Sequence, residues 1–508
     1  MKVIIPLGSK DENFRTEFRS IKPLTKLGDS TIIEVFLKNL PFTNEYIFLC
    51  TQDDLVNTKL LSILQGLKIK KKIVPIMNNT SSVIETVYYA ENYIKDNESV
   101  LICHPDSVND FGSIKEMKEK LQNQSHSGCL FVFHEDCQTN TAELKTGRIL
   151  IKKNKVIKIN EKSIKTDNSL TLTGIYFFKR WIEFKKYSNL TLKNQLPIQG
   201  RYFISQVFNE YIRERKKLSI IKIKKHISFG LISHVNEYNF WFNYFNKNIK
   251  RKLRKNFNFL NLIPSCGDGL RFKLKKNENF KPLIKVNEDF MIIKTLKSLP
   301  KSKKNVVVMR NDHNKKYSFK SKITKKFPRL ETLILNKKTD GMASTCFQYL
   351  KNTELKTPLI ISSCDYAVIF DEEKFSNLLK FYDPEVVVWT FKKYPDARIS
   401  PNAYAYCKIK NGKILKISEK TPISNNPHLD HIVQGIFYFK NKEIFFEAYR
   451  KMIENKAKIN NEYYVGNSIN ELISKKYKVL PFEVEQYICL GTLQDLKVYN
   501  FWSQYFYD

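Results

Sequence analysis

The chain has 508 residues, with 86 Lys and Arg against 51 Asp and Glu, so its formal net charge at pH 7 is +35. This length predicts more than one domain, because a single hydrophobic core rarely grows past about 300 residues. Hydrophobic residues make up 42% of the chain and aromatic residues 13%, which excludes a wholly disordered protein. Polar residues interrupt every apolar run before the roughly 18 residues of a membrane helix, so we expect no transmembrane segment.

The cysteines indicate a reducing compartment. They number nine, form no C-x-x-C pair and are scattered through apolar stretches. This use is typical of buried thiols in the cytoplasm rather than of disulfides or a zinc site. The apolar stretch in the opening MKVIIPLGSK is too short for a secretory signal. We therefore expect a cytoplasmic protein.

The excess of lysine has several interpretations. Because the lysines are spread along nearly the whole chain, they favour a solvated basic surface over a nucleic-acid site. Attraction of acidic substrates, or peripheral association with an anionic membrane face, stays open. The chain lacks a helix-turn-helix, zinc-finger or RNA-recognition pattern, so we expect no nucleic-acid partner.

An internal repeat organises the chain. Segments of the first half recur in the second half, in the same order, at an offset of 258 to 261 residues. Matching pairs include IIPLG with LIPSCG, VIKINEK with ILKISEK, and FGLISHVNEYNFW with LGTLQDLKVYNFW. The repeat predicts two copies of one domain, residues 1–245 and 257–508, joined by an exposed basic linker at 246–256.

Both copies predict the same elements in chain order. The predicted strands are the apolar runs KVIIPL, EYIFLC, KIVPIM, VLICHP and CLFVFH, then FLNLIPS, NVVVMR, ETLILN, PLIISS and VVVWTF. Helix-length stretches separate them, a pattern typical of a mostly parallel sheet covered on both faces. We predict an α/β fold with two tandem doubly wound domains and a ligand beyond the carboxyl ends of the strands. Asn411-Gly412 predicts the turn of a later hairpin.

The first strand of the second half runs into SCGDGLRF, residues 265–272, and Lys281-Pro282-Leu283 follow. Glycines after a strand let the backbone approach an anion and direct N–H groups at phosphate oxygens. A G-x-G turn alone is weak evidence, because many such turns are only tight turns. Arg271 and Lys281 add two cations at the same strand end, which a structural turn does not need.

This run resembles the sequence pattern of the nucleotidyltransferases that make sugar nucleotides, a glycine-rich G-x-G-x-R loop followed by Lys-Pro-Leu. Further elements match that family in order: TDGMA from Thr339, LIISSCD ending at Asp365, ISEKTPIS around Glu419, QGIFY from Gln434, NNEYYV at 460–465 and LGTLQDL at 490–496. The resemblance covers essentially the whole second half. It implies the nucleotide-diphospho-sugar transferase fold, which many glycosyltransferases share.

The resemblance also implies a reaction, in which a nucleoside triphosphate and a sugar phosphate give a sugar nucleotide and pyrophosphate with Mg²⁺ as cofactor. The nucleotide-binding residues that it implies are Cys266, Gly267, Asp268, Gly269, Arg271, Lys281, Thr339 and Gly341. The catalytic residues that it implies are Arg271, Lys281 and Asp365, with Asp365 as the Mg²⁺ ligand. The substrate-binding residues that it implies are Glu419, Lys420, Gly435 and Glu462.

Several of these residues have a structural alternative. Asp365 could cap a helix, Glu419 and Lys420 could form an exposed hairpin pair, and Glu462 could begin a helix. The cysteines near the proposed site are predicted core residues, namely Cys266, Cys346 and Cys364. Cys489 stands where many family members carry a second Mg²⁺-binding Asp, and a thiol is a poor Mg²⁺ ligand. Either one carboxylate is enough to bind Mg²⁺, or another group replaces the missing Asp, or the activity is impaired.

The first half keeps part of this pattern. Lys22, Asp106 and Glu161-Lys162 stand at matching positions, but the loop at residues 7–13, LGSKDEN, has one glycine and two added carboxylates. Carboxylates there repel a triphosphate, so we predict a degenerate copy. Its role as a structural partner, a regulatory site or a binder of another phosphorylated ligand stays open, as does a retained second activity.

The leading hypothesis is a nucleotidyltransferase that supplies activated sugar for surface polysaccharide. One alternative is a glycosyltransferase of the same fold that uses a sugar nucleotide. Such enzymes usually hold a metal through D-x-D, whereas Asp365-Tyr366-Ala367 lacks the second acid. The other alternative is a non-catalytic nucleotide-binding tandem protein.

Overall fold

In this computed structural model the chain divides into two compact units, Met1–Phe242 (unit 1) and Asn243–Asp508 (unit 2). The residues that the structure describes are 1–8, 11–41, 45–77, 80–122, 126–134, 146–153, 155–164, 166, 169–249, 255–269, 280–394, 397 and 400–507. Within this part of the chain, each unit contains a mixed sheet of nine strands with helices beside it. The predicted α/β fold is therefore confirmed for both halves.

The strands of unit 1 are β1 (Lys2–Pro6), β2 (Lys26–Leu27), β3 (Ser30–Thr31), β4 (Glu45–Thr51), β5 (Lys71–Ile76), β6 (Val100–Cys103), β7 (Ser107–Asp110), β8 (Gly128–Phe133), β9 (Thr146–Lys152), β10 (Lys155–Ser163), β11 (Ser169–Phe178), β12 (Leu218–Lys222) and β13 (Lys225–Ser228). The helices that begin in unit 1 are α1 (Glu12–Phe18), α2 (Ile32–Lys38), α3 (Gln52–Asn57), α4 (Leu60–Gly66), α5 (Val83–Tyr88), α6 (Ile114–Gln122), α7 (Trp181–Asn194), α8 (Ile204–Arg213) and α9 (Ile232–Ile249).

The large sheet of unit 1 has the order β5-β4-β1-β6-β11-β8-β12. Strands β5, β4, β1 and β6 are parallel neighbours, whereas β11 runs antiparallel to both β6 and β8. The hairpin of β9 and β10 joins the sheet through β11. The parallel strands place their carboxyl ends at one edge, which is where such sheets bind ligands.

The strands of unit 2 are β14 (Asn256–Ser265), β15 (Lys285–Val286), β16 (Asp289–Phe290), β17 (Lys301–Arg310), β18 (Leu330–Leu335), β19 (Leu359–Ser362), β20 (Tyr366–Ile369), β21 (Val386–Phe391), β22 (Ala405–Lys410), β23 (Lys413–Glu419), β24 (His431–Phe439), β25 (Val479–Glu483) and β26 (Gln486–Cys489). Its helices are α10 (Met291–Ser298), α11 (Asn311–Tyr317), α12 (Phe319–Lys326), α13 (Met342–Leu350), α14 (Glu372–Tyr382), α15 (Lys442–Glu454), α16 (Val465–Ser474) and α17 (Leu493–Tyr507).

Unit 2 repeats the strand order of unit 1. Its sheet runs β18-β17-β14-β19-β24-β21-β25, and the hairpin of β22 and β23 joins it through β24. The parallel part again consists of four neighbouring strands, β18, β17, β14 and β19. The repeat that the sequence predicted is therefore also a repeat of topology.

Central strands in both units are buried along their length, which explains their unbroken apolar sequences. All six residues of β8 and of β21 are buried, because layers of helix and loop cover both faces. Val306, Val307 and Val308 of β17 are all fully buried. The cores therefore lie on either side of each sheet and leave the strand ends for polar residues.

The structure can be compared with two local predictions, the hairpin turn and the linker. Asn411 and Gly412 join β22 to β23 with φ of 50° and 73°, as a two-residue hairpin turn requires, so the predicted turn is confirmed. Of the predicted linker, residues 246–249 belong to α9 and residue 256 begins β14, while 250–254 lie outside the described residues. The domain limits at 245 and 257 stay a prediction.

Among the described helices, none is long and apolar enough to cross a membrane.

Candidate active site

A pocket of about 280 Å³ lies in unit 2 at the carboxyl ends of β14 and β19. The predicted site residues that line it are Cys266, Gly267, Gly269, Lys281, Thr339, Gly341, Asp365 and Glu462. They come from loops that follow different strands and from the segment before α16. Arg271 lies outside the described residues.

Lys281 and Asp365 form an ion pair in the wall of this pocket. The Nζ atom of Lys281 lies 2.5 Å from Oδ2 of Asp365, and the two side chains are 17% and 24% exposed. The Ser363 hydroxyl donates a hydrogen bond of 2.9 Å to Oδ1 of the same carboxylate. Burial disfavours the ammonium of Lys281, but the nearby carboxylate of Asp365 outweighs it and raises the lysine pKa. The lysine therefore stays a cation at neutral pH.

Backbone contacts hold both Lys281 and Asp365 in place. Lys281 opens a 3-10 turn whose next residue, Pro282, is buried, so the lysine backbone is held in place. Asp365 follows β19, and its carbonyl accepts the N–H of Leu490 at 2.9 Å. A Cβ on Gly491 would lie 3.0 Å from Oδ2 of Asp365. The glycine of the LGT motif therefore leaves room for the carboxylate.

The described part of the glycine loop presents open backbone beside a group of cations. A Cβ on Gly267 would meet nothing within 4 Å, and Gly269 has φ of 61°. The Asp268 carboxylate pairs with Arg310 and lies 2.6 Å from the ammonium of Lys338. The hydrogen bond from Lys338, aided by Arg310, lowers the pKa of Asp268 to about 2. Its carboxylate thus holds two basic side chains together, and of these three residues Lys338 lines the pocket.

Gly341 has a steric cause that the sequence did not predict. Its φ of 110° and ψ of −178° lie in a region that is essentially restricted to glycine. A Cβ there would lie 2.7 Å from the backbone nitrogen of Tyr463, whose N–H donates to the Asp340 carbonyl at 2.8 Å. The neighbour that excludes a side chain is therefore Tyr463. The Thr339 hydroxyl lies 2.5 Å from that of Thr345, which braces the loop.

The predicted acceptor residues divide into two groups. Glu462 lines the pocket, whereas Glu419, Lys420 and Gly435 are not among the residues that line it. Glu419 ends β23, and burial raises its pKa to about 7, although Lys420 opposes the shift. The Lys420 ammonium donates to the carbonyl of Ala403.

Gly435 affects the Lys281–Asp365 ion pair indirectly, through Ser363. It has φ of 92° and its carbonyl accepts the N–H of Ser363 at 3.2 Å. A Cβ on Gly435 would lie 3.2 Å from the Ser363 hydroxyl. Because that hydroxyl binds Asp365, Gly435 helps to position the carboxylate rather than to face the pocket.

The cysteines behave largely as small core residues. Cys266 and Cys346 are buried, while Cys364 is only partly buried. The Cys489 thiol donates to a carboxylate oxygen of Asp495 at 3.2 Å, and burial raises its pKa well above the ordinary value. Within the described ranges, no group of three His, Cys, Asp or Glu side chains is placed to hold a metal ion. A neutral thiol therefore occupies the position of the second family carboxylate.

Lys338 and Ser363, which line the pocket, were not predicted from the sequence. Neither were Arg310, which pairs with Asp268, and Gly491, which lies beside Asp365. Arg310 ends β17 and Ser363 follows β19, so their position at strand ends is a signal that could have identified them. Lys338 also follows a strand, β18, but a lysine is an uninformative residue type in a chain that is rich in lysine throughout.

The fold and pocket of unit 2 define an α/β domain that presents lysines and open backbone at the carboxyl edge of its sheet. Residues 261–500 match the model of the nucleotidyl transferase family, the family whose sequence pattern the second half resembles. No curated protein matches the sequence.

Two solved structures with similarity to the chain each match about half of it. One is a nucleoside-diphosphate-sugar pyrophosphorylase from Vibrio cholerae RC9, at 18% identity and a TM-score of 0.39, over 48% of this chain and 100% of the other. The other is an inositol-1-phosphate CTP transferase from T. maritima, at 13% identity and a TM-score of 0.38, over 50% and 97%.

Proposed function

We propose that unit 2 transfers a nucleoside monophosphate from a nucleoside triphosphate to a sugar phosphate and releases pyrophosphate. The observation that carries this proposal is the Lys281–Asp365 pair at 2.5 Å in the wall of a pocket that Gly267 and Gly269 of the glycine loop also line. Open backbone at Gly267 and the ammonium of Lys338 lie around the same pocket. Cations beside bare main-chain N–H groups are the arrangement that polyphosphate binding requires.

The chemistry needs positioning and charge stabilisation more than covalent help. An oxygen of the sugar phosphate attacks the α-phosphorus and forms a new P–O bond. The bond from the α-phosphorus to the bridging oxygen breaks, and pyrophosphate leaves with that electron pair. Lys281 and Lys338 would neutralise the charge that builds on the phosphoryl oxygens and on the leaving group. Arg271 would join them from the glycine loop.

Mg²⁺ fits this site as an ion with one protein ligand. Asp365 supplies hard oxygen atoms, and Gly491, which has no Cβ, leaves space at Oδ2. Cys489 is excluded because its thiol is soft, protonated and bonded to Asp495. When bound, Mg²⁺ supplies positive charge to the phosphate oxygens, and substrate phosphates and water would complete its coordination.

A pyrophosphate-release screen tests the proposal. The full chain is assayed with each common nucleoside triphosphate against a panel of sugar 1-phosphates, with and without Mg²⁺. We expect release to require one particular pair of substrates and Mg²⁺. Release of sugar from a sugar nucleotide, without any pyrophosphate release, would instead support the glycosyltransferase alternative. Binding of a triphosphate without turnover of any pair would support a non-catalytic protein.

The buried carboxyl of Glu419 predicts a pH dependence of acceptor binding. We assign this carboxylate to the sugar hydroxyls, although Glu419 is not among the residues that line the pocket. Its pKa of about 7 means that the carboxylate forms only as the pH rises through that value. We expect the KM for the sugar phosphate to fall by about tenfold between pH 6 and pH 8. Initial rates across this range measure the effect. In Glu419→Gln the KM should stay high and nearly independent of pH, and an unchanged profile would exclude Glu419 from the acceptor site.

The cellular role follows from the products. A sugar nucleotide is the activated donor for polysaccharide synthesis, so we place the protein in the supply of surface polysaccharide precursors. The cysteines within the described residues are free, which agrees with a cytoplasmic site for this step.

A further inference from the structure

Unit 1 retains a pocket at the position equivalent to that of the unit 2 site. It has a volume of about 230 Å³ and lies at the carboxyl ends of β1 and β6. Lys22 and Asp106 line it as Lys281 and Asp365 line the pocket of unit 2. The degenerate copy has therefore not filled this space with apolar side chains.

The ion pair of unit 1 is also retained. The ammonium of Lys22 lies 3.0 Å from Oδ2 of Asp106, and the two side chains are 15% and 33% exposed. Burial opposes ionisation of Asp106, but Lys22 and His104 outweigh it and lower the carboxyl pKa to about 2. Replacing such a pair by apolar residues is often neutral or stabilising. Its retention beside an open pocket points to a ligand rather than to stability.

The charges around this pocket are redistributed relative to unit 2. Arg201 stands at the position of Glu462, and Thr51 stands at the position of Arg310. Among the described residues that line the unit 1 pocket, Asp106 is the only carboxylate. Glu12 occupies the sequence position of Arg271, so positive charge has moved from the glycine loop to the Arg201 side. One compact anion, rather than a triphosphate, suits this arrangement.

Hydroxyl groups complete the lining. Thr80, Ser81 and Ser82 lie on the loop before α5 and line the pocket together with His104. The Thr80 hydroxyl lies 2.7 Å from that of Thr86, and the Ser81 hydroxyl donates to the Glu85 carboxylate at 2.6 Å, so a ligand would share these hydroxyls with α5. Ser82 replaces the glycine that unit 2 carries at position 341, and it has φ of −150°, so the backbone strain of Gly341 is absent here. Hydroxyl and imidazole groups recognise the hydroxyls of a sugar or ribose ring.

We propose that the pocket of unit 1 binds a phosphomonoester, with the phosphate between Lys22 and Arg201 and the sugar or ribose hydroxyls against Thr80, Ser81 and His104. The site binds its ligand without nucleotidyl transfer, because unit 1 lacks the second glycine and the arginine of the loop. A sugar phosphate and a nucleoside monophosphate share this chemistry.

Hydrogen–deuterium exchange of the full chain gives a local test. The probes are glucose 1-phosphate, uridine 5′-monophosphate and inorganic phosphate, and the readout is protection of peptides that cover residues 80–90 and 196–206. We expect one of the two esters to protect both peptides, and the identity of that ester distinguishes the two sources. Absence of protection by either ester, or protection by inorganic phosphate alone, would overturn the proposal.

Charge variants at exposed positions test the site itself. Arg201→Glu, which restores the charge that unit 2 has there, should weaken ester binding by at least about tenfold. Arg201→Lys should retain most of the affinity. Lys216→Glu makes the same charge change at an exposed lysine that is not among the lining residues, and it should bind as the wild type does. Equal affinity of Arg201→Glu and wild type would contradict the proposal.

The test is independent of the activity proposed for unit 2. Asp365→Asn alters the unit 2 pocket, so the same exchange measurement on this variant should still show protection in unit 1. Protection without any pyrophosphate release in the substrate screen would refute the function of unit 2 alone. Release without protection would refute only the site of unit 1.

Discussion

Replacing Lys281 by methionine should lower kcat/KM for pyrophosphate release by about 1,000-fold, because it removes a preorganised cation from a low-dielectric site. Methionine keeps most of the side-chain volume, so the pocket wall is preserved while the charge is lost. Lys281 is 17% exposed and lies 2.5 Å from Asp365, so water cannot readily substitute for its ammonium. Steady-state rates at saturating Mg²⁺ measure the change.

The tandem repeat supplies a matched comparison. Lys22→Met makes the same change at the equivalent ion pair of unit 1, and we expect it to lower the rate by less than about tenfold. Lys416→Met, at an exposed lysine of β23, serves as a control for the loss of a surface charge. A loss in Lys22→Met as large as that in Lys281→Met would show that unit 1 takes part in the reaction.

Most of the fold could be predicted because the relevant signals are local. Unbroken apolar runs such as Val386–Phe391 predict buried strands, and Asn411-Gly412 predicts a turn that needs positive φ at both residues. The order of the strands in the sheet is not local, since β14 pairs with β17 and β19 and not with the two-stranded β15–β16. The strand order was therefore not predicted, and the family resemblance implied only the type of fold.

The site was predictable where a motif contributes the functional side chain itself. Lys281 and Asp365, 84 residues apart, meet in the structure, and both lie in motifs that the sequence displays. Gly491 was missed because its effect on Asp365 depends on tertiary contact. Ser363 was missed because the sequence does not show that its hydroxyl turns to the carboxylate two residues later. Neither a serine nor a glycine is unusual in its own segment. The steric cause at Gly341 was missed for the same reason, because Tyr463 is distant in sequence.

Asp365→Asn should reduce pyrophosphate release by about 100- to 1,000-fold and should weaken the dependence of the rate on Mg²⁺. Asparagine preserves the shape of the side chain and keeps one oxygen near Ser363, but it removes the negative charge. The negative charge of Asp365 offsets the cost of burying the Lys281 ammonium. Without it, the lysine pKa should fall and the residual activity should decline at a lower pH than in the wild type.

The pH profile separates a direct role of Asp365 from a general loss of structure. Rates are measured from pH 6 to pH 10 at several Mg²⁺ concentrations for the wild type, Asp365→Asn and the matched Asp106→Asn of unit 1. Unfolding of the site would lower the rate uniformly across the range, whereas loss of the carboxylate should shift both the alkaline limb and the Mg²⁺ response. Full activity with an unchanged Mg²⁺ response would remove Asp365 from the mechanism.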